Sequence, residues 1–194
     1  MNICLYGASS DTIDKLYIEK TEVLGEEMGK RGHTLIFGGG ARGLMGAAAR
    51  GITRSGGKAI GIAPSFFNVD GVLFPLCAEF IYTETMRERK QILEEKADAF
   101  IATPGGIGTF DELFEIATLK QLGQHNKPIV LFNINGYFDN LLKMLDKAVK
   151  GEFMTEGARS IFKSFDDEKQ LLSYLENYKA EAYDFSVMKK VEGK

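Results

Sequence analysis

The chain is poor in the residues that most often carry metal or redox chemistry, with two cysteines and two histidines among 194 residues. Cys4 and Cys77 stand in apolar surroundings that read as buried strand, without the C-x-x-C spacing of a dithiol or zinc site. His33 and His125 are too few to build a histidine metal centre or a Ser-His hydrolase, so neither a metal nor a cofactor is expected. A basic stretch is also missing, and the net charge is -3, which argues against a general nucleic-acid or membrane surface. Any affinity for phosphate has to be local. No segment approaches the ~20 apolar residues of a membrane span. The N-terminal Met1-Asn2-Ile3-Cys4-Leu5-Tyr6 has no basic region and its apolar run stops at Gly7, so a cytoplasmic protein is expected.

What is present is an ordinary globular balance, 44% hydrophobic and 26% charged, long enough to bury a sizeable core in one domain. Residues 1-179 are expected to form that domain and 180-194 a tail. Short β-branched or aromatic runs alternate with helical patterns, the signature of βαβ units and a parallel sheet. Strands are predicted at Ile3-Tyr6, Thr34-Phe37, Ala59-Ile62, Phe80-Thr83, Ala99-Ala102 and Ile129-Phe132, with a weaker one at Ile161-Phe165. Helices are predicted near 13-30, 43-55, 86-96, 109-122, 137-149 and 167-178. In the first, Ile13, Leu16, Tyr17, Leu24 and Met28 form one apolar stripe. The fold class is therefore α/β, a Rossmann-like parallel sheet with helices on both faces. Right-handed crossovers gather the loops that follow the strands at one edge, where such folds bind ligands.

Three glycine-rich segments occupy that edge: Gly7-Ala8-Ser9-Ser10, Gly38-Gly39-Gly40-Ala41-Arg42-Gly43 and Pro104-Gly105-Gly106-Ile107-Gly108-Thr109. The second satisfies G-x-G-x-x-G, yet the next strand ends at Ile62-Ala63-Pro64 without the acid that a dinucleotide's ribose requires, which argues against NAD and FAD. Its glycines serve either close packing or a smaller ligand. In the third, three residues without Cβ let backbone N–H groups converge on an anion at a helix start. This is not a Walker loop, because the lysine is absent. Two readings of Glu112 stand: a carboxylate beside the anion, or the far end of a T-x-x-E capping box with Thr109. Asp111 fits the first turn of a helix by its charge. Met86-Arg87-Glu88-Arg89-Lys90 opens another helix at the same edge, and at most one of Arg87 and Arg89 faces the glycine loop.

Gly38 to Gly46, Met86 to Lys90, Ala97 to Glu112 and Gln121 to Pro128 together resemble the LONELY GUY (LOG) family, whose M-x-x-R-K and P-G-G-x-G-T-x-x-E motifs stand intact here. The resemblance runs to about residue 165. It implies a homodimer that hydrolyses the N-glycosidic bond of a purine riboside 5'-monophosphate, cytokinin or AMP, to free base and ribose 5-phosphate. It also implies a catalytic pair, Arg89 and Glu112, and substrate contacts from Met86, Lys90, Gly105, Gly106, Ile107, Gly108, Thr109, Phe110, Asp111 and Thr118. The stretch Phe66 to Leu76 departs from the plant pattern, and Phe110-Asp111 replaces a frequent Leu-Glu.

On this reading Glu112 stabilises the oxocarbenium-like ribosyl centre and orients water, while the clamped phosphate positions C1'. Arg89 either holds Glu112 ionised or contacts ribose or base. The label "lysine decarboxylase", also used for this family, demands a pyridoxal phosphate lysine with an acidic partner, and no segment assembles them. A non-catalytic binder of nucleotide or molybdopterin-type phosphate, and a transferase using the same cradle, are the competing classes.

Overall fold

A computed structural model describes residues 1-180; of the predicted tail, all but Ala180 lies outside the described residues. Seven strands form one parallel sheet in the order β4-β3-β2-β1-β5-β6-β7. They are β1 (Asn2–Tyr6), β2 (Thr34–Phe37), β3 (Lys58–Pro64), β4 (Glu79–Thr83), β5 (Ala99–Ala102), β6 (Ile129–Phe132) and β7 (Lys163–Phe165). The helices between them are α1 (Lys15–Lys30), α2 (Gly43–Arg54), α3 (Met86–Lys96), α4 (Ile107–Gln121), α5 (Asp139–Lys150), α6 (Glu156–Arg159) and α7 (Glu168–Glu176).

Successive strand side chains point to opposite faces, and the central strands are apolar on both. Ile3 and Leu5 of β1 join Leu24 and Met28 of α1, Ala48 and Ile52 of α2 and Leu171 and Leu175 of α7 in one core. Cys4 and Tyr6 join Leu93 of α3, Leu113 and Ile116 of α4 and Leu145 of α5 in the other. Helices thus cover both faces. α1 and α2 pack at backbone distance: a Cβ on Gly25 would lie 2.3 Å from the carbonyl oxygen of Ala48. Of the stripe predicted for α1, Leu24 and Met28 are fully buried, while Leu16 stays exposed in the first turn.

The predicted element order is present, with shifts at the ends. α1 begins at Lys15 because Asp14 caps it, its carboxylate accepting from Leu16 N at 2.9 Å. The weak strand shortens to Lys163–Phe165, the buried Ile161 and Phe162 preceding it. The short α6, capped by Thr155, has too few residues for a periodic signal. β1 lies between β2 and β5, so the chain winds outward in one direction from β1 and then in the other from β5. Ligands of open α/β sheets bind beyond the strand ends at such a reversal.

Candidate active site

The loops that leave β1, β2 and β5 meet beyond the C-terminal ends of those strands and are tied to each other through their backbones. Ala8 N donates to Pro104 O at 3.0 Å, Leu44 N to Ala8 O at 2.8 Å, and Gly43 N to the Asp11 carboxylate at 2.7 Å. The β3–β4 connection folds back over the same edge: Ala41 N donates to Val72 O at 2.9 Å and Phe74 N to Gly39 O at 2.8 Å. Together they enclose a cavity of about 590 Å³. Its wall takes Gly7, Ala8 and Ser9 from the first loop and Gly38, Gly40, Arg42 and Met45 from the second. The β3–β4 connection adds Phe67 and Asp70 to Leu73, α3 adds Met86 and Arg89, and α4 adds Gly106, Gly108, Thr109 and Glu112. This is an ordinary small-molecule volume.

α4 begins two residues earlier than predicted, at Ile107, with Gly106 as its N-cap and no side chain on the cap. The capping-box reading is thereby overturned. Thr109 falls inside the first turn, and Glu112, a full turn further on, turns to Arg89 instead of its own backbone. No hydrogen bond ties the N–H of Gly106, Ile107, Gly108 or Thr109 to an acceptor elsewhere in the described residues. The first amides of a helix lack intrahelical partners and stand at its positive end, so they are ready donors for an anion. Thr109 is buried beneath Gly105, where a Cβ would lie 2.1 Å from Thr109 Oγ1. Only glycine fits there.

Arg89 and Glu112 are 7% and 9% exposed, the rare case of a charged pair taken out of water. Arg89 Nη1 lies 2.9 Å from Glu112 Oε1, and Arg89 Nε donates to Ile62 O at 3.2 Å, so both ends of the guanidinium are held. Its third nitrogen passes against Gly38, where a Cβ would sit 2.0 Å from Arg89 Nη2. Arg87 is exposed, which settles the choice periodicity left open. Burial pushes the Glu112 carboxyl above its ordinary range, and the Arg89 guanidinium pulls it back only in part. Arg89 does face Glu112, one of the two roles open to it from sequence, but desolvation is the larger effect on the carboxyl.

Of the residues expected at the site, Met86, Arg89, Gly106, Gly108, Thr109 and Glu112 share the cavity. Gly105 lies buried behind the loop. Lys90, Ile107, Phe110, Asp111 and Thr118 instead line a separate open groove of about 620 Å³ along the outer side of α4. There Lys90 pairs with Asp111 at 3.1 Å and with Glu115, and Ile107 is 89% exposed. Sequence reasoning missed Phe67, Asp70, Val72 and Leu73; the apolar run Val72-Leu73-Phe74 inside a loop was the available signal.

This architecture defines a Rossmann-like α/β protein in which a helix N-terminus with free amides and a buried acid open into one chamber. A family model described as "Possible lysine decarboxylase" matches residues 45–175. Cytokinin riboside 5'-monophosphate phosphoribohydrolase LOG2 of Arabidopsis thaliana is 38% identical over 183 residues, 94% of this chain and 86% of that protein. The probable phosphoribohydrolase LOGL6 of Oryza sativa subsp. japonica is 38% identical over 176 residues, 91% of this chain and 70% of that one. The chain belongs to the LOG family. Among solved structures, the molybdenum cofactor carrier protein of Chlamydomonas reinhardtii shares the fold, with a TM-score of 0.70 at 20% identity over 90% of this chain and 95% of that one. Decarboxylation of lysine would call on pyridoxal phosphate held by a lysine, and among the described residues no lysine lines the cavity, so the lining does not fit that group.

Proposed function

We propose that the protein hydrolyses the N-glycosidic bond of purine riboside 5'-monophosphates, releasing the free base and ribose 5-phosphate. The observation that carries this is a buried carboxylate, Glu112, on the same helix and in the same cavity as a run of amides without acceptors. The relatives act, by name, on a cytokinin riboside 5'-monophosphate. A monoester dianion on the Gly106 to Thr109 amides anchors the nucleotide at its non-reacting end and spends binding energy on orientation. Glu112, one turn further along α4, then faces the anomeric carbon. Cleavage leaves positive charge on C1' and its ring oxygen. The carboxylate stabilises that charge and accepts a proton from the attacking water, the departing base takes up a proton from solvent, and Glu112 returns its proton to solvent, so that one water is added across the bond. Arg89 holds the carboxylate in place. Phe67, Val72, Leu73, Met45 and Met86 supply the apolar part of the wall for the base.

A module that only binds a phosphate has no use for an acid held away from water inside the chamber, which favours the hydrolase over a carrier. Incubation with AMP and with isopentenyladenosine monophosphate, followed by chromatography of free base, tests the reading. Release of base from wild type and not from Glu112→Gln is expected; equal release from both sinks it.

The reading includes a homodimer. The outer side of α4 presents Ile107, Phe110 and Phe114 in an open groove that a second copy covers, and with it Lys90, Asp111 and Thr118 become interface residues. A monomeric mass in light scattering contradicts this.

A further inference from the structure

Tyr137 is not in the cavity wall, yet its hydroxyl donates to the carbonyl oxygen of Gly105 at 2.6 Å. That bond joins the turn after β6 to the glycine loop after β5, across 32 residues of sequence. The peptide between Gly105 and Gly106 is trans, so its carbonyl and its N–H point in opposite directions. With the carbonyl taken by Tyr137, which stands outside the cavity wall, the Gly106 N–H lies on the opposite side of that peptide, and Gly106 itself lines the chamber. A peptide flanked by two glycines is the one most free to rotate about its neighbouring bonds, because neither residue has a Cβ to block the alternative. Rotation would present a carbonyl oxygen to a phosphate in place of a donor.

We infer that Tyr137 is a positioning residue for the phosphate site: its hydroxyl fixes the Gly105–Gly106 peptide with the amide facing the ligand. The inference rests on the phosphate-clamping reading given above. The ring is itself well placed for this. It packs edge-on against Tyr17, with centroids 6.3 Å apart, and against Phe138 at 5.0 Å. The turn that carries it is locked by Asn133, whose side chain accepts from Phe138 N at 2.7 Å and donates to Asp139 at 2.8 Å. On the other side of the loop Pro104 O is taken by Ala8 N. The two successive carbonyls before the helix are therefore both held, Pro104 O by a backbone amide of the cavity wall and Gly105 O by the Tyr137 side chain from outside it.

The test uses Tyr137→Phe, which removes one oxygen and keeps the ring. Inhibition of AMP cleavage by ribose 5-phosphate should weaken by about 3- to 10-fold, the worth of one hydrogen bond. Inhibition by adenine, which carries no phosphate, should stay as in wild type. A merely structural role would lower the melting temperature and weaken both inhibitors alike, and that result overturns the inference, as does an unchanged ribose 5-phosphate constant. Titration of both proteins with ribose 5-phosphate by calorimetry separates this from the activity. If wild type releases no base but binds the sugar phosphate more tightly than Tyr137→Phe, the hydrolase reading fails and the role of Tyr137 stands.

Discussion

Replacing Gly38 by alanine reaches the proposed catalytic pair without touching either member. Gly38 has no positive φ, so its backbone accepts alanine, and the new Cβ would sit 2.0 Å from Arg89 Nη2 and 3.1 Å from Cζ. To restore even 3.0 Å, the closest approach a real Cβ tolerates, the guanidinium must retreat by about 1 Å. Its other nitrogens are engaged with Glu112 at 2.9 Å and Ile62 O at 3.2 Å, so it cannot move without stretching one of them. A displacement of that size in a reacting constellation costs roughly 10²-fold in rate. Partial loss of a buried hydrogen-bonded charge costs roughly 1 to 3 kcal/mol of stability. The expected Gly38→Ala protein is folded, modestly destabilised in urea, and about a hundredfold slower in releasing adenine from AMP. Gly39→Ala serves as the contrast. There φ is +78° and the Cβ would meet Phe80 Cζ at 2.7 Å, so stability falls while Arg89 is untouched. If Gly38→Ala keeps a rate within about threefold of wild type, or if the two variants lose activity in proportion to stability alone, the fit of glycine against arginine does not matter for the chemistry.

Glu112→Gln should still bind AMP but lose on the order of 10²- to 10⁴-fold in kcat, read as free adenine. Because burial raises the Glu112 carboxyl above 4.5 and catalysis uses its ionised form, the acid limb of the wild-type rate profile should lie above the ordinary glutamate range. Arg89→Gln should move that limb higher still, since the guanidinium opposes the shift; a limb at or below the ordinary value refutes the assignment. His125 tests the scaffold in another way. Its Nε2 lies 2.8 Å from Ile116 O and its Nδ1 accepts from Lys127 N, which fixes the neutral ring, and burial holds its pKa at about 4 instead of 6.5. A base whose folded value is lowered contributes stability above its unfolded pKa and loses it as pH falls toward the folded one, here a loss of at most about 3 kcal/mol between pH 6.5 and 4 and less to the extent that solvent screens the ring. In urea unfolding, His125→Gln should remove that slope; parallel pH curves for the two proteins would count against the burial argument.

Much of this molecule is legible along the chain. Alternating apolar residues such as Ile3, Cys4, Leu5 and Tyr6 had to serve two cores at once, which only a strand covered on both faces permits. The three glycine loops follow from strand and helix order, because parallel strands deliver their C-terminal ends to a single rim. Even the pairing of Arg89 with Glu112 is implied by family resemblance, although Thr109-Phe110-Asp111-Glu112 carries equally well the local signature of a helix cap.

What the tertiary structure decided was which partner each of these groups met. Gly106 took the cap, so Glu112 fell a turn too deep to reach its own backbone and was left facing the guanidinium from α3. Gly38 proved to be the space into which that guanidinium fits, and the β3–β4 connection closed the chamber with Asp70 to Leu73. Periodicity records which way a side chain points from its own helix or strand. The environment it then meets comes from residues far away in sequence, and burial, the larger influence on the Glu112 proton, exists only once those elements have packed.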